Sequence, residues 1–454
     1  MATIARRSLF SWRDIDAASD LQRLKLVLSV LPDEAFMQLL EAERGKGRDD
    51  YPVRAMWNAV IAGIVFQHLS VASLVRELWR NRELLESCGF DPLQGGGGAP
   101  TQDAMERFLL RAVRHREHLM RMFDEVIEEL GILLPDLGRL LAVDSKAIAS
   151  YGKPIRDDVK RAQADGRRDT DANWGKKTYK GVHEDGTTWE KVVRWFGFKI
   201  HLLVDSRHEI PLAMRVTKAS EHDSPHLLPL VEQYKARHGG LGTRAEELAA
   251  DKAYDSGPNN AALHDDHAIK PVIDKRTMWK DGEKTRPLKA DRADSFIYDE
   301  AGKVFCVCPV SGEQREMAFA GFDKDHRALK YRCPAAAYDL FCPGREQCER
   351  LACVGPFGRT LRVPLKLDRR IFTPIARHSH KWKKAYARRT AVERVNARID
   401  RVLGFENHFI RGKAKMETRL NLSLLVLVAM ALGRIRADQA ELMRSMTAPV
   451  RMAA

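Results

Sequence analysis

The segment RLLAVDSKAIAS, residues 139–150, decides the reading of this chain. An apolar run leads into one acid, Asp144, which predicts a short buried strand ending at that carboxylate. A second segment repeats the arrangement: ELAADKAYDS, residues 247–256, in which Asp251 follows ELAA. Between the two lie RWFGFKIHLLVD (194–205) and IPLAMRVTKAS (210–220), both strand-like, then EHDSP as a short linker and HLLPLVEQYKARH with helical spacing. Beyond Asp251, GPNNAALHDDHA reads as a helix and IKPVID as a fifth strand. The order is three strands, helix, strand, helix, strand, the signature of an α/β domain with a mixed sheet and flanking helices.

Carboxylates at strand ends emerge into the crevice beyond an open sheet. Two of them from adjacent strands repel, and burying them is costly unless a cation stands alongside. Hard oxygen ligands suit Mg²⁺ or Mn²⁺, and a metal site of this kind serves phosphoryl transfer. Such a site needs a third acid. YARRTAVERVNARIDR, residues 386–401, supplies Glu393 among arginines. Read as one helix, it places Tyr386, Arg389, Glu393 and Asp400 on one face and Val392, Val395, Ile399 and Val402 on the other. Taken singly, each acid has a plainer reading. An aspartate after a strand caps a turn, and Glu393 pairs with Arg389 four residues earlier for ~0.3–0.5 kcal/mol. The three gain weight as a set.

The rest of the chain frames that set. With 454 residues and 44% hydrophobic content, the sequence is long enough for two or three domains. Its formal net charge of +14 favours a polyanionic partner, nucleic acid before an acidic membrane. Residues 1–135 hold amphipathic helical stretches, suited to DNA binding or to packing alone. The segment 152–190 is polar and reads as a loop. No signal-peptide core opens the chain, and the apolar run LSLLVLVAMAL (422–432) is too short to span a bilayer. The expectation is a cytoplasmic protein with no membrane association, nucleoid-associated when bound to DNA.

Six of the seven cysteines fall in one region: Cys306, Cys308, Cys333, Cys342, Cys348 and Cys353. None forms a CxxC pair. Without an export signal they read as reduced thiols. The two readings are a structural Zn²⁺ held by four of the six, with His326 as an alternative ligand, and free buried thiols. His201 and His222 read as supporting hydrogen-bond partners near the crevice, Lys252 points the other way if Asp251 points inward, and Trp195, Trp279 and Trp382 read as core or surface aromatics, one of which could stack on a base.

The ordered set LLAVDSKAIAS, GFKIHLLVD, ASEHDS, ADKAYDS and the Tyr-x2-Arg-x3-Glu helix resembles bacterial insertion-sequence transposases of the DDE type. The resemblance implies a ribonuclease-H-like core carrying Asp144, Asp251 and Glu393 as catalytic metal ligands. It also implies an insertion before the glutamate helix, where the cysteines lie. The implied layout is an N-terminal helical domain (1–135), a first part of the core (136–275), a cysteine-rich insertion (276–375), C-terminal core helices (376–440) and a tail (441–454). The implied activity is metal-dependent cleavage at element ends and strand transfer into target DNA. The implied partners are terminal inverted repeats, target DNA and a second copy of the chain on paired ends. Tyr386 and Arg389 match the family's phosphate-binding positions. Position 400, where the family places a basic residue, is Asp, leaving Arg398 or Arg401 to substitute. Two competing readings are a transposase-derived DNA-binding regulator without catalysis and a zinc-stabilised nucleic-acid-binding protein.

Overall fold

The structure is a computed structural model that describes residues 20–46, 50–93, 98–154, 167–289, 296–351 and 358–450, without the side chains of 349–351. Among the described residues, seven helices precede the first strand: α1 (Leu21–Leu28), α2 (Glu34–Arg44), α3 (Val53–Val65), α4 (Val71–Arg80), α5 (Arg82–Cys88), α6 (Gln102–Arg114) and α7 (Arg116–Leu133). Side-chain caps begin several of them. Ser70 accepts from the Ser73 amide, Asn81 from Leu84 and Thr101 from Ala104, each satisfying an otherwise orphaned donor.

A six-stranded mixed sheet follows. Its strands are β1 (Leu140–Ala149), β2 (Asn173–Val182), β3 (Thr188–Asp205), β4 (Ile210–Lys218), β5 (Glu247–Ala250) and β6 (Lys270–Ile273). Helices α8 (Leu227–Arg237), α9 (Gly239–Gly242) and α10 (Gly257–Asp265) fill the crossovers around β5. β3 lies antiparallel to β1 and β4, whereas β5 is parallel to β1 and β6 parallel to β5.

Two expectations change here. β1 does not stop at Asp144. It continues to Ala149, because β3 keeps pairing with it, from Leu141 opposite Asp205 to Ala149 opposite Gly197. Only the parallel ladder to β5 ends early, at Val143 opposite Ala250. The polar segment 152–190 is no simple loop either. Residues 155–166 lie outside the described residues, but Asn173–Val182 pairs along its whole length with the outer half of β3. With both faces in solvent, these strands carry no apolar period to announce them.

Gly197 marks where this ribbon leaves the sheet, since it is opposite Ala149 on one side and Asn173 on the other. A Cβ there would stand 2.2 Å from the Ile148 carbonyl oxygen and 2.6 Å from the Ser150 nitrogen.

Between residues 276 and 375, seven short strands form two small sheets. Strands β7 (Thr285–Pro287), β8 (Phe296–Asp299), β9 (Val304–Val307) and β10 (Gln314–Glu316) make one, and β11 (Ala318–Asp323), β12 (Ala328–Arg332) and β13 (Thr360–Pro364) the other. Two short helices, α11 (Pro334–Tyr338) and α12 (Arg345–Leu351), connect them. This region has its own buried cluster around Tyr331, Ile371 and Phe372. Arg370 fastens it to the main sheet by a double contact to Asp255, at 3.0 and 2.5 Å.

Three helices close the chain: α13 (His380–Ala387), α14 (Thr390–Leu403) and α15 (Lys413–Arg436). The stretch expected to be one helix is therefore two. At the junction the Arg389 amide donates to the Tyr386 carbonyl and the Val392 amide to Arg389, three residues back rather than four. Arg388 reaches Glu247 on β5 at 2.6 Å, while Arg389 turns toward Asp144. Val392, Val395 and Ile399 are buried, so α14 does lay its apolar side on the sheet.

α15 is longer than the apolar run within it, and by length and composition it could cross a membrane. Instead, 89% of its apolar window is buried inside the protein. It packs against α7, α1, α3 and β4, so the N-terminal helices, the sheet and α15 share one hydrophobic core.

Gly197→Ala is expected to lower the unfolding free energy by about 1–3 kcal/mol, because the added methyl meets backbone that cannot step aside. Denaturant unfolding followed by circular dichroism checks this; an unchanged midpoint would mean that the two strands yield freely.

Candidate active site

The parallel registers set the geometry. Val143 is opposite Ala250, and Ala250 is opposite Ile273. The next residue on each strand is an aspartate: Asp144, Asp251 and Asp274. One level of the sheet thus ends in a row of three acids. Asp274 was given no role from the sequence, although KPVID repeats the apolar-run-then-Asp pattern of LLAVD and ELAAD.

Backbone amides hold two of these carboxylates. The Ser145 amide donates to Asp144 at 2.8 Å, and the Ala253 amide to Asp251 at 2.8 Å. Burial still dominates. It pushes the Asp144 carboxyl up to about 6, with the Asp251 charge adding to the rise. Burial also raises Asp251. This is the behaviour of like charges crowded in a low-dielectric crevice.

Helix α14 supplies the rest. Arg389 donates to Asp144 at 3.0 Å and to Glu393 at 2.7 Å. The simple i, i+4 pair between Arg389 and Glu393 is therefore present, but the same guanidinium bridges to the strand acid. Burial pushes the Tyr386 hydroxyl up, with the Asp274 charge adding to the rise and Arg389 opposing it. Trp382 stacks on Tyr386, with ring centroids 5.0 Å apart and planes 10° from parallel. The structure thus brings Asp144, Asp251, Glu393, Arg389 and Tyr386 around one crevice.

A second layer lies behind it. Asp223 accepts from the Ser145 hydroxyl and from the Lys199 ammonium, each at 2.8 Å. Burial raises its carboxyl, but Lys199 and Ser145 outweigh that and hold it below the usual range. His201 is buried between the Tyr254 hydroxyl at 3.1 Å and the Thr217 hydroxyl at 3.0 Å. Burial pushes its imidazole down to about 3, so it stays neutral. His222 is exposed, and its neighbour Asp223 is the residue turned toward the site. The EHDSP linker thus contributes its aspartate to the site through Ser145 and Lys199. Lys252 is exposed.

The remaining arginines separate by their partners. Arg398, largely covered, contacts Glu209 at 2.6 Å, beside Arg394 on the same carboxylate. Arg401 is exposed. Asp400 forms an ion pair with Lys146, which also contacts Glu406 at 2.7 Å. Lys146 is two residues beyond Asp144, on the same face of β1. Position 400 thus carries an acid paired with a cation from β1.

Cys306, Cys308, Cys333, Cys342 and Cys348 line one cavity of about 160 Å³ in the 276–375 region. All five are free thiols. Cys353 lies outside the described residues. Burial pushes the Cys306 thiol up to about 11, and Cys333, Cys342 and Cys348 add to the rise. Cys308 goes the other way, to about 7, because the Ser311 hydroxyl and nearby amides favour its thiolate. His326 turns to Asp323 at 3.2 Å. As the side chains stand, no three His, Cys, Asp or Glu groups among the described residues are arranged to hold a metal ion.

This is a mixed α/β chain whose parallel and antiparallel strands meet at an acidic crevice roofed by a helix. The family model for the transposase DDE domain matches residues 135–429. The chain belongs to that family, and its general function is that of a transposase acting on DNA. No curated protein matches the chain.

Raised acid groups give a signed pH dependence. Asp144 binds its proton more tightly folded than unfolded, so its contribution is present below about pH 4 and is lost as pH rises to about 6. Asp144→Asn should therefore match wild type near pH 4 and exceed it above pH 6, by on the order of 2–3 kcal/mol. Thermal melts of the metal-free proteins across this window check the sign; a variant less stable at pH 7 than wild type would contradict it.

Proposed function

We propose that the protein is a metal-dependent DNA transposase with a ribonuclease-H-like core, in which Asp144, Asp251 and Glu393 are the catalytic carboxylates. The observation that carries this reading is the pair of aspartates at the end of the parallel ladder between adjacent strands, one of them tied through Arg389 to a glutamate on α14. The strand order, with β3 antiparallel between β1 and β4 and β5 and β6 parallel beyond β1, supports the core assignment.

The donor set suits Mg²⁺ or Mn²⁺. It is all hard oxygen, and its crowded charge already draws in a guanidinium, Arg389, as counter-ion. Asp144, Asp251 and Glu393 would hold the ion, which when bound makes water acidic and offsets charge on the phosphoryl group. Tyr386 and Arg389 would then turn toward DNA phosphates, where a bidentate guanidinium is effective. Lys199 and Ser145 fix Asp223 behind the site, and neutral His201 orients the Tyr254 hydroxyl. The reaction is hydrolysis of a phosphodiester at the element's ends, followed by attack of the freed 3′-hydroxyl on target DNA. Two copies would act on paired ends. Arg401, exposed on α14, is a further phosphate contact; Arg398, committed to Glu209, is left out of that set.

The purified protein, given Mg²⁺ and a duplex carrying the repeats flanking its gene, should nick at the repeat boundary. Asp144→Ala, Asp251→Ala and Glu393→Ala should each reduce nicking by about three orders of magnitude or more. Binding without metal-dependent nicking would point instead to a DNA-binding regulator.

A structural Zn²⁺ is the second component of the proposal, held by Cys306, Cys333, Cys342 and Cys348, which line one cavity; burial and the neighbouring thiols push the Cys306 and Cys348 thiols up. That crowding is relieved when thiolates share a cation. Elemental analysis of the reduced protein should find about one zinc per chain, lost in Cys333→Ser. Metal-free protein that melts like the zinc-loaded sample would remove the assignment.

A further inference from the structure

β2 and the outer half of β3 form a ribbon with solvent on both sides, and directly opposed residues share a face. On one face Gly175 opposes Trp195, Lys177 opposes Val193, Tyr179 opposes Lys191 and Gly181 opposes Trp189. Each glycine makes room for the ring across from it. A Cβ on Gly175 would stand 2.4 Å from the Trp195 ring, and one on Gly181 2.5 Å from Trp189. The two indoles therefore lie over the ribbon backbone. Between them the Lys177 ammonium stands 5.4 Å from the Tyr179 ring centroid. Tyr179 remains 43% exposed and Trp189 39% exposed, while Lys177 and Lys191 are also exposed.

This face has a direction. The ribbon continues β3 out of the sheet from Gly197, which is opposite Ala149, five residues along β1 from Asp144, so the row of rings and ammonium groups extends outward from the side of the sheet that carries the acids. The other face carries an exposed ring too, Trp174 against Phe196 at its inner end, but its cations are placed differently. Its cations Lys176 and Arg194 oppose each other, and Lys180 is occupied by Glu190 at 2.9 Å. Alternating cations and exposed ring faces match a sugar-phosphate chain with unstacked bases, since any base offers a flat surface and the ammonium groups take the phosphates.

We propose that the Lys177–Tyr179–Lys191–Trp189 face of the ribbon binds an unpaired DNA strand leading into the acidic crevice. Tyr179 and Trp189 stack on bases, and Lys177 and Lys191 neutralise phosphates. The crevice's action on DNA is the reading on which this rests.

The test is binding by the full-length, metal-free protein, measured by fluorescence anisotropy with labelled oligo-dT and with a blunt duplex over a range of salt. Tyr179→Ala with Trp189→Ala should weaken oligo-dT binding about tenfold or more and leave duplex binding unchanged. Trp189→Phe, which keeps a ring, should retain most of the affinity. Lys177→Ala with Lys191→Ala should flatten the salt slope for oligo-dT by about 1.4. Lys176→Ala with Arg194→Ala should change oligo-dT affinity far less. Equal losses from the two faces, equal losses for duplex and single strand, or no loss in variants that melt like wild type would each overturn the proposal. These binding measurements need no metal and no cleavage, so a failure of nicking and a failure of this surface are read separately.

Discussion

The parallel ladder between β1 and β5 ends at Val143 and Ala250, and the chemistry of the crevice follows from that termination. Had β5 run on beside β1, Asp144 would have a strand neighbour in the sheet plane and no opening before it. Because β5 stops and β1 continues, the carboxylate emerges at a step in the sheet edge. Asp251 leaves β5 at the same level, and Asp274 leaves β6 beside it. Like charge accumulates at that step in surroundings that disfavour it. The cations then arrange themselves around the problem. Arg389 bridges Asp144 to Glu393, Lys199 answers Asp223, and Lys146 answers Asp400.

This organisation also accounts for a chain with a large positive charge that places several of its arginines against its own acids. Arg388, Arg389, Arg394 and Arg398 come from one short stretch, yet each contacts a carboxylate. Arg394 and Arg398 anchor α14 at its far side through Glu209, and Arg389 ties its near end to β1. The helix that carries Glu393 is therefore held at both ends by charge and along its length by Val392, Val395 and Ile399. An exposed surface ion pair contributes little; a set that fixes one helix over one strand acts through position.

Much of the main sheet was legible because buried strands write themselves as apolar runs. LLAV, HLLV, LAA and PVI all became core strands in the expected order. Asp144 and Asp251 were legible for the same reason, as polar interruptions of those runs. What escaped reading lacks that contrast. The β2–β3 ribbon alternates lysine, aromatic and glycine with water on both sides, so it resembles a loop. Asp223 stands in a linker and gains its place only when β1 and β3 bring Ser145 and Lys199 together. The break between Tyr386 and Thr390 is likewise tertiary: two adjacent arginines are drawn to acids on different strands, and helical periodicity holds no trace of that.

The burial of α15 has a consequence for how the chain is made. Residues 413–436 emerge from the ribosome long after the α1, α3 and α7 surfaces that they cover. The contacts joining those early helices to the last long one are among the most distant in sequence, and contacts of that kind are slow to form. Until α15 arrives, apolar surface on the first helices stays uncovered and open to association. A transcript cut short before that helix would therefore yield a protein lacking the centre of its core, even with the strand aspartates and Glu393 already in the chain.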